Sequence, residues 1–311
     1  MMIAADTIGE PYGTYVLEAD VHARGQVAFA EKWDVDHVSA ISCPTTEAAD
    51  LGAAIVYYPD QPPAVDEENA LLADKATLAK LKVTAPGRRM TKRLEVIRLL
   101  KERAGRERLV EGWIEGPMAE SADLRGINRV MVDLVDDPMF VQDLIAFVFE
   151  NAMSFAREQV RAGADIIGVG DAASSLIGPD LYRVAVLEWE KRFIEEIHAM
   201  GALVRLHICG NTTDLFPMLA EVQADMIDLD WMADVGLARE RVGDGHMLTG
   251  NIDPVRVLQD GTPADVTAGL ARCFAGAGGK FYAVNAGCEV ARRTPAANLR
   301  AMRDFARGHR E

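Results

Sequence analysis

Short apolar runs alternate with longer amphipathic stretches along almost the whole chain, and this alternation gives the first clue to its architecture. Runs short enough for buried strands stand at 37–42, 108–114, 165–170, 203–208, 226–230, 246–249 and 280–285. Between them the spacing of apolar positions predicts helices over 21–32, 90–104, 131–162, 179–200 and 214–222. Two further helix starts are marked by Thr262-Pro263 and Thr294-Pro295, with threonine as N-cap and proline in the first turn. The stretch 54–68, which holds Pro59, Pro62 and Pro63, reads as an extended excursion or hairpin on the rim. Regular strand-then-helix order requires a parallel sheet, and in one domain spanning 1–311 it predicts closure into a (β/α)8 TIM-type barrel. Seven good strands are found where eight are needed, and 14–17 is a weak candidate for the first place. The expected barrel therefore has an irregular or missing first strand. An open seam there would expose unpaired backbone that a second copy of the chain is a candidate to cover, as a homodimer.

Composition narrows the function classes. A net charge of −15 argues against a nucleic-acid groove and against an anionic membrane surface. No run approaches the roughly 20 apolar residues of a bilayer span, and the first residues lack a basic stretch leading into an apolar one. A cytoplasmic protein with no nucleic-acid or membrane partner is expected. Four cysteines, Cys43, Cys209, Cys273 and Cys288, are too few for a disulfide scaffold and read as free thiols or ligands. Cys273 falls in an amphipathic stretch and suits a small buried role. The basic cluster at 88–93 reads as a solvated helix start.

The candidate chemistry sits at strand ends. His207 and Cys209 alternate onto one side of the run at 203–208, and Cys288 follows the run at 280–285. One imidazole and two thiols favour zinc over magnesium or calcium, and Asp230 at the end of 226–230 offers an oxygen as a fourth ligand. Three protein ligands with a replaceable fourth describe a catalytic rather than a structural metal site. Asp171 is placed either to hydrogen-bond His207 or to cap the next helix. Ser174, Asn211 and Asn251 are candidate substrate or cofactor contacts, and Glu289 is a rival to Asp230 as fourth ligand.

Seven motifs occur in one family's order: Glu115-Gly116-Pro117; Ala162-Gly163-Ala164-Asp165 with Asp171-Ala172-Ala173-Ser174-Ser175; His207-Ile208-Cys209-Gly210-Asn211; Asp228-Leu229-Asp230-Trp231; Gly250-Asn251-Ile252-Asp253-Pro254; Gly287-Cys288-Glu289; and Thr294-Pro295. On these the chain resembles the uroporphyrinogen decarboxylase superfamily, from about residue 20 to the end. The resemblance implies a (β/α)8 barrel. The superfamily's decarboxylases carry an Arg-Gln-Ala-Gly-Arg signature and a histidine where this chain has Cys288; neither is present. The branch that includes methylcobalamin:coenzyme M methyltransferases has the His-x-Cys and the later cysteine as zinc ligands, which match His207, Cys209 and Cys288.

That branch implies a zinc-dependent methyltransferase moving a methyl group from a methylated corrinoid, free methylcobalamin or a transiently bound corrinoid protein, to a small acceptor. A thiol such as coenzyme M or a tetrahydrofolate is the implied acceptor. Asp230 would yield its place to the acceptor sulfur and take up its proton. With the Asp-x-His-x-x-Gly pattern that ligates cobalt in corrinoid-binding modules read as absent, no such domain is expected within these 311 residues and the donor is expected from outside. The alternatives are a decarboxylase-like lyase acting on a tetrapyrrole and a non-catalytic corrinoid-related accessory subunit.

Overall fold

The computed structural model describes residues 1–83 and 85–309. All seven strand predictions hold: β1 (His37–Ser39), β4 (Leu109–Glu115), β5 (Ile166–Gly170), β6 (Leu203–Ile208), β7 (Met226–Leu229), β8 (Met247–Ile252) and β9 (Tyr282–Ala286). They pair in parallel, in the order β1-β4-β5-β6-β7-β8-β9. The excursion on the rim forms a separate antiparallel pair, β2 (Ile55–Val56) with β3 (Ala64–Val65). Helices cover the outside of the sheet, and the architecture is a TIM-type α/β barrel. Among the described residues β1 and β9 do not pair, so the barrel is open at the expected seam.

The 14–17 candidate is not a strand. It lies in the helix Tyr12–Leu17, which follows Met2–Thr7 and precedes Ala19–Trp33. Pro11 caps that helix in the extended region, and Tyr12, Tyr15 and Val16 bury against Ala4, Ala5 and Cys43. Ile3 packs with Trp33 and Leu299. Helical segments from the beginning of the chain thus cover the seam, where apolar burial takes the place of the missing ladder. Two predicted helices are each two in the structure. Asp137 ends Ile127–Asp136 and caps Pro138–Ala162, because the residue before a proline leaves the helical region. The other breaks at Val186, between Gly178–Ala185 and Leu187–Ala199. The last helix begins one residue later than predicted, with Pro295 at its N-cap. At the Thr262 cap, a full capping box forms with Asp265.

The helix Pro138–Ala162 is long and apolar enough to cross a bilayer, yet 61% of its apolar window is buried inside the fold. Its outward face carries exposed Asp143, Glu150 and Arg157, as a core helix should.

The basic cluster is the largest departure from expectation. Arg89 and Arg93, read as solvated, are 7% and 1% exposed. Arg93 donates to the Trp113 and Cys43 carbonyls and to Thr46 Oγ1, while Arg89 Nη2 lies 3.1 Å from Cys43 Sγ. A guanidinium can be buried when carbonyl, hydroxyl and thiol groups accept its hydrogen bonds. Both side chains pin the start of the helix Arg88–Arg103 to the loop after β1.

Candidate metal centre

Alternation along neighbouring strands gives the barrel interior a polar face. Glu111, Trp113 and Glu115 of β4 share it with Arg205 and His207 of β6, Asp228 of β7 and Asn285 of β9. Room for the Trp113 indole comes from Gly168 and Gly170 on β5, where any Cβ would overlap the ring. At the C-terminal ends of the strands this face opens into the barrel mouth.

There the structure brings His207, Cys209 and Cys288 together, with one ligand atom of each within 4.8 Å of the others. His207 Nε2 is 3.1 Å from Cys209 Sγ. Gly287 makes this meeting possible. Its Cα approaches the backbone of Trp231 so closely that a Cβ would stand 2.2 Å from the Trp231 nitrogen. Only a residue without a side chain lets the loop after β9 lie against the loop after β7 and carry Cys288 inward. His207 is 8% exposed, Cys209 is half-buried and Cys288 is exposed, so the cluster is open on the cysteine side.

The electrostatics suit a cation. Burial opposes an imidazolium at His207, but Asp228 and Cys288 outweigh it and push the group up to about 10. Hydrogen bonds from Cys209 and His207 bring the Cys288 thiol down to about 5. The Cys209 thiol is driven far up, first by its hydrogen bond to Cys288 and then by burial, with Asp230 and Glu115 adding their charges. Two protons and one thiolate therefore share a small space, and a divalent cation binding both sulfurs and Nε2 would take the place of those protons.

His207 is oriented from behind by Asp228, whose Oδ2 is 3.2 Å and carbonyl oxygen 3.1 Å from Nδ1. The sequence reading offered Asp171 for this role. Asp171 meets His207 only through its backbone, its amide donating to the His207 carbonyl at 2.8 Å. Its side chain accepts from the Met118 and Ala119 amides, capping the helix Pro117–Arg125, and from Ser174 Oγ. Asp228 and His207 are register partners on adjacent strands, and that inward alternation was the available signal.

The other candidates are loop-ordering groups in this structure. Asp230 accepts from the Gly210 amide at 2.9 Å and the Met232 amide at 3.2 Å, and stands outside the three-donor cluster. Asn251 donates to the Asp230 and Ala233 carbonyls and accepts from the Cys273 thiol. Asn211 accepts from Thr213. Glu289 accepts from the Met2 amide and lies 3.2 Å from the terminal amine. Contrary to the expectation from sequence, the Asp-x-His-x-x-Gly spacing of cobalt-ligating modules does occur, at Asp20-Val21-His22-Ala23-Arg24-Gly25. It lies within the helix Ala19–Trp33, and His22 is fully buried, bonded to the Ser39 carbonyl and Lys92 and stacked on Tyr15. That imidazole is committed to packing.

The molecule is an open α/β barrel with a thiol-rich centre at its mouth. More particularly, the chain belongs to the uroporphyrinogen decarboxylase (URO-D) family, whose model matches residues 3–309. It is 30% identical over 220 residues to the methylcobamide:CoM methyltransferase MtbA of Methanosarcina mazei, an alignment covering 70% of this chain and 63% of the relative. It is 29% identical over 167 residues to a uroporphyrinogen decarboxylase of Nocardia farcinica, covering 52% of this chain and 47% of that protein. Among solved structures, a methyltransferase from Methanosarcina mazei superposes with a TM-score of 0.85 at 22% identity, covering 99% of this chain and 90% of the other.

Proposed function

We propose that this protein is a zinc-dependent methyltransferase that moves a methyl group from a methylated corrinoid to a small acceptor, a thiol or a tetrahydrofolate. The observation that carries the reading is the cluster of one imidazole and two thiols at the barrel mouth, open on its cysteine side. Nitrogen-and-sulfur donors suit zinc, whereas magnesium and calcium take oxygen. The similarity to a methylcobamide:CoM methyltransferase supports the same chemistry, with coenzyme M as the acceptor to try first and tetrahydrofolate the second.

His207, Cys209 and Cys288 would hold the ion, which when bound supplies Lewis acidity that lowers the pKa of an arriving thiol. The cysteines keep electron density on the centre, so that the acceptor sulfur stays nucleophilic. Asp228 keeps the Nδ1 proton of His207 in place and leaves Nε2 free to ligate. Asp230, close enough for its charge to raise the Cys209 thiol, is the carboxylate we assign to the acceptor's proton. The methyl donor would come from a separate corrinoid protein.

The test is metal analysis of anaerobically purified protein, followed by methylcobalamin demethylation with a panel of thiols and tetrahydrofolate. About one zinc per chain is expected, lost in His207→Ala and Cys288→Ser together with turnover. Demethylation by a metal-free chain, or full zinc in both variants, would overturn the proposal. A zinc-free chain that decarboxylates a tetrapyrrole would move the function to the family's other chemistry.

A further inference from the structure

Behind the metal cluster, buried charges alternate in a row that runs from Asp228 through Arg205 to Glu111. Asp228 Oδ2 accepts from Arg205 Nη1 at 2.9 Å, and Arg205 Nε donates to Glu111 Oε1 at 2.7 Å. Glu111 is 1% exposed, and its second oxygen, Oε2, meets no donor among the described residues. The guanidinium lies 5.5 Å from the Trp113 ring centre, and that ring is wedged against Gly168 and Gly170. Burial holds the neighbouring His37 imidazole below its usual range, so it brings no competing cation at neutral pH.

A carboxylate is costly to bury, and Glu111 leaves an oxygen unpaired. Asp228 Oδ2 is shared between Arg205 Nη1 and His207 Nδ1, so Glu111 gives the guanidinium a second anchor of its own. With both acids present, the guanidinium is held at two different nitrogens and against a ring face. It cannot turn in its plane, so the oxygen of Asp228 that it holds cannot leave His207 Nδ1.

We propose that Glu111 is a positioning residue for the metal centre, acting through Arg205 and Asp228 to fix the ring plane and tautomer of His207. The inference rests on the metal reading given above, and it assigns a role to a residue at the opposite end of the charge row from the ligand. Outer partners of metal-bound histidines commonly change metal affinity by roughly 10–100-fold. Glu111 acts through two intermediates and should stand at the lower end of that range.

The experiment measures zinc affinity by competition with a chromophoric chelator at fixed pH, alongside the visible spectrum of the Co²⁺-loaded protein. Thermal unfolding of the metal-free chain is recorded for each variant. Glu111→Gln is expected to weaken zinc binding about tenfold and to shift the Co²⁺ bands. Its loss should not add to that of Asp228→Asn, because the two act along one chain of contacts. Wild-type zinc affinity and an unchanged Co²⁺ spectrum in Glu111→Gln would overturn the inference, even if the variant unfolds at a lower temperature. If Glu111→Gln does not fold, Glu111→Asp, which keeps the charge but withdraws it by one methylene, is read in the same way. Failure of the wild-type protein to bind zinc would instead refute the metal reading itself.

Discussion

Gly168 is the position where one added methyl group should be felt furthest. It lies on β5 in register with Trp113 of β4 and Arg205 of β6. A Cβ at this point would stand 2.3 Å from Trp113 Cε3, 2.6 Å from Cζ3 and 3.3 Å from Glu111 Oε1. Non-bonded carbons settle about 3.5–4.0 Å apart, so the indole would have to retreat by more than about 1 Å. It has little freedom to do so, because Nε1 donates to Glu115 Oε1 at 2.8 Å and the residue is only 7% exposed. Overpacking of this kind costs roughly 1–3 kcal/mol. Gly168→Ala should therefore lower the urea midpoint by that much free energy without changing the m value. Trp113→Leu removes the obstructing ring and leaves a cavity that the methyl partly fills. The double variant should then be more stable than the sum of the two losses by about 0.5–3 kcal/mol. A wild-type midpoint for Gly168→Ala, or strict additivity in the cycle, would show that the ring is not wedged as described.

Asp228→Asn should weaken zinc binding by roughly 10–100-fold, measured by chelator competition, because His207 loses the carboxylate that holds its Nδ1 proton. Stability should also respond to the buried carboxyls of Glu47, Glu115 and Glu120 and to the half-buried Asp123. Burial, and then the charge of Glu47, raise Asp123 from 3.8 to about 7. The folded chain thus holds this proton more tightly than the unfolded one, so the stabilisation is complete below pH 3.8 and is lost as pH rises through about 7. Urea midpoints should fall across that window with a slope of at most about 1.4 kcal/mol per pH unit for this group. Asp123→Asn should flatten the slope, and an unchanged slope would refute the assignment.

The strands were legible because their helix-facing apolar residues recur in short runs, each bounded by charged or glycine-containing segments, even though their inward positions are partly polar. The beginning of the chain was not. Tyr-Val-Leu within 14–17 suits a strand as well as a helix turn, and only its contacts with Ala4, Ala5 and Cys43 decide the matter. Asp137-Pro138 carries a sequence signal for its helix break, whereas nothing in the sequence at Val186 announces one. His207, Cys209 and Cys288 could be named because strand ends of a barrel converge by construction. The burial of Arg89 and Arg93 could not be foreseen, since their carbonyl, hydroxyl and thiol acceptors are brought close only by the tertiary fold. Asp228 lies within β7 and Asp230 just past its end, and distinguishing the one beside His207 required the register.

The open seam gives the three-donor cluster a mechanical meaning. Two of its members ride on the middle of the sheet, while the third belongs to the loop after the strand that no neighbour closes. An ion gripping all three would fasten the loose end of the hoop to its far side, doing for the rim what a missing stave cannot. Loading the centre should then stiffen the segment around Cys288 more than any other part of the molecule.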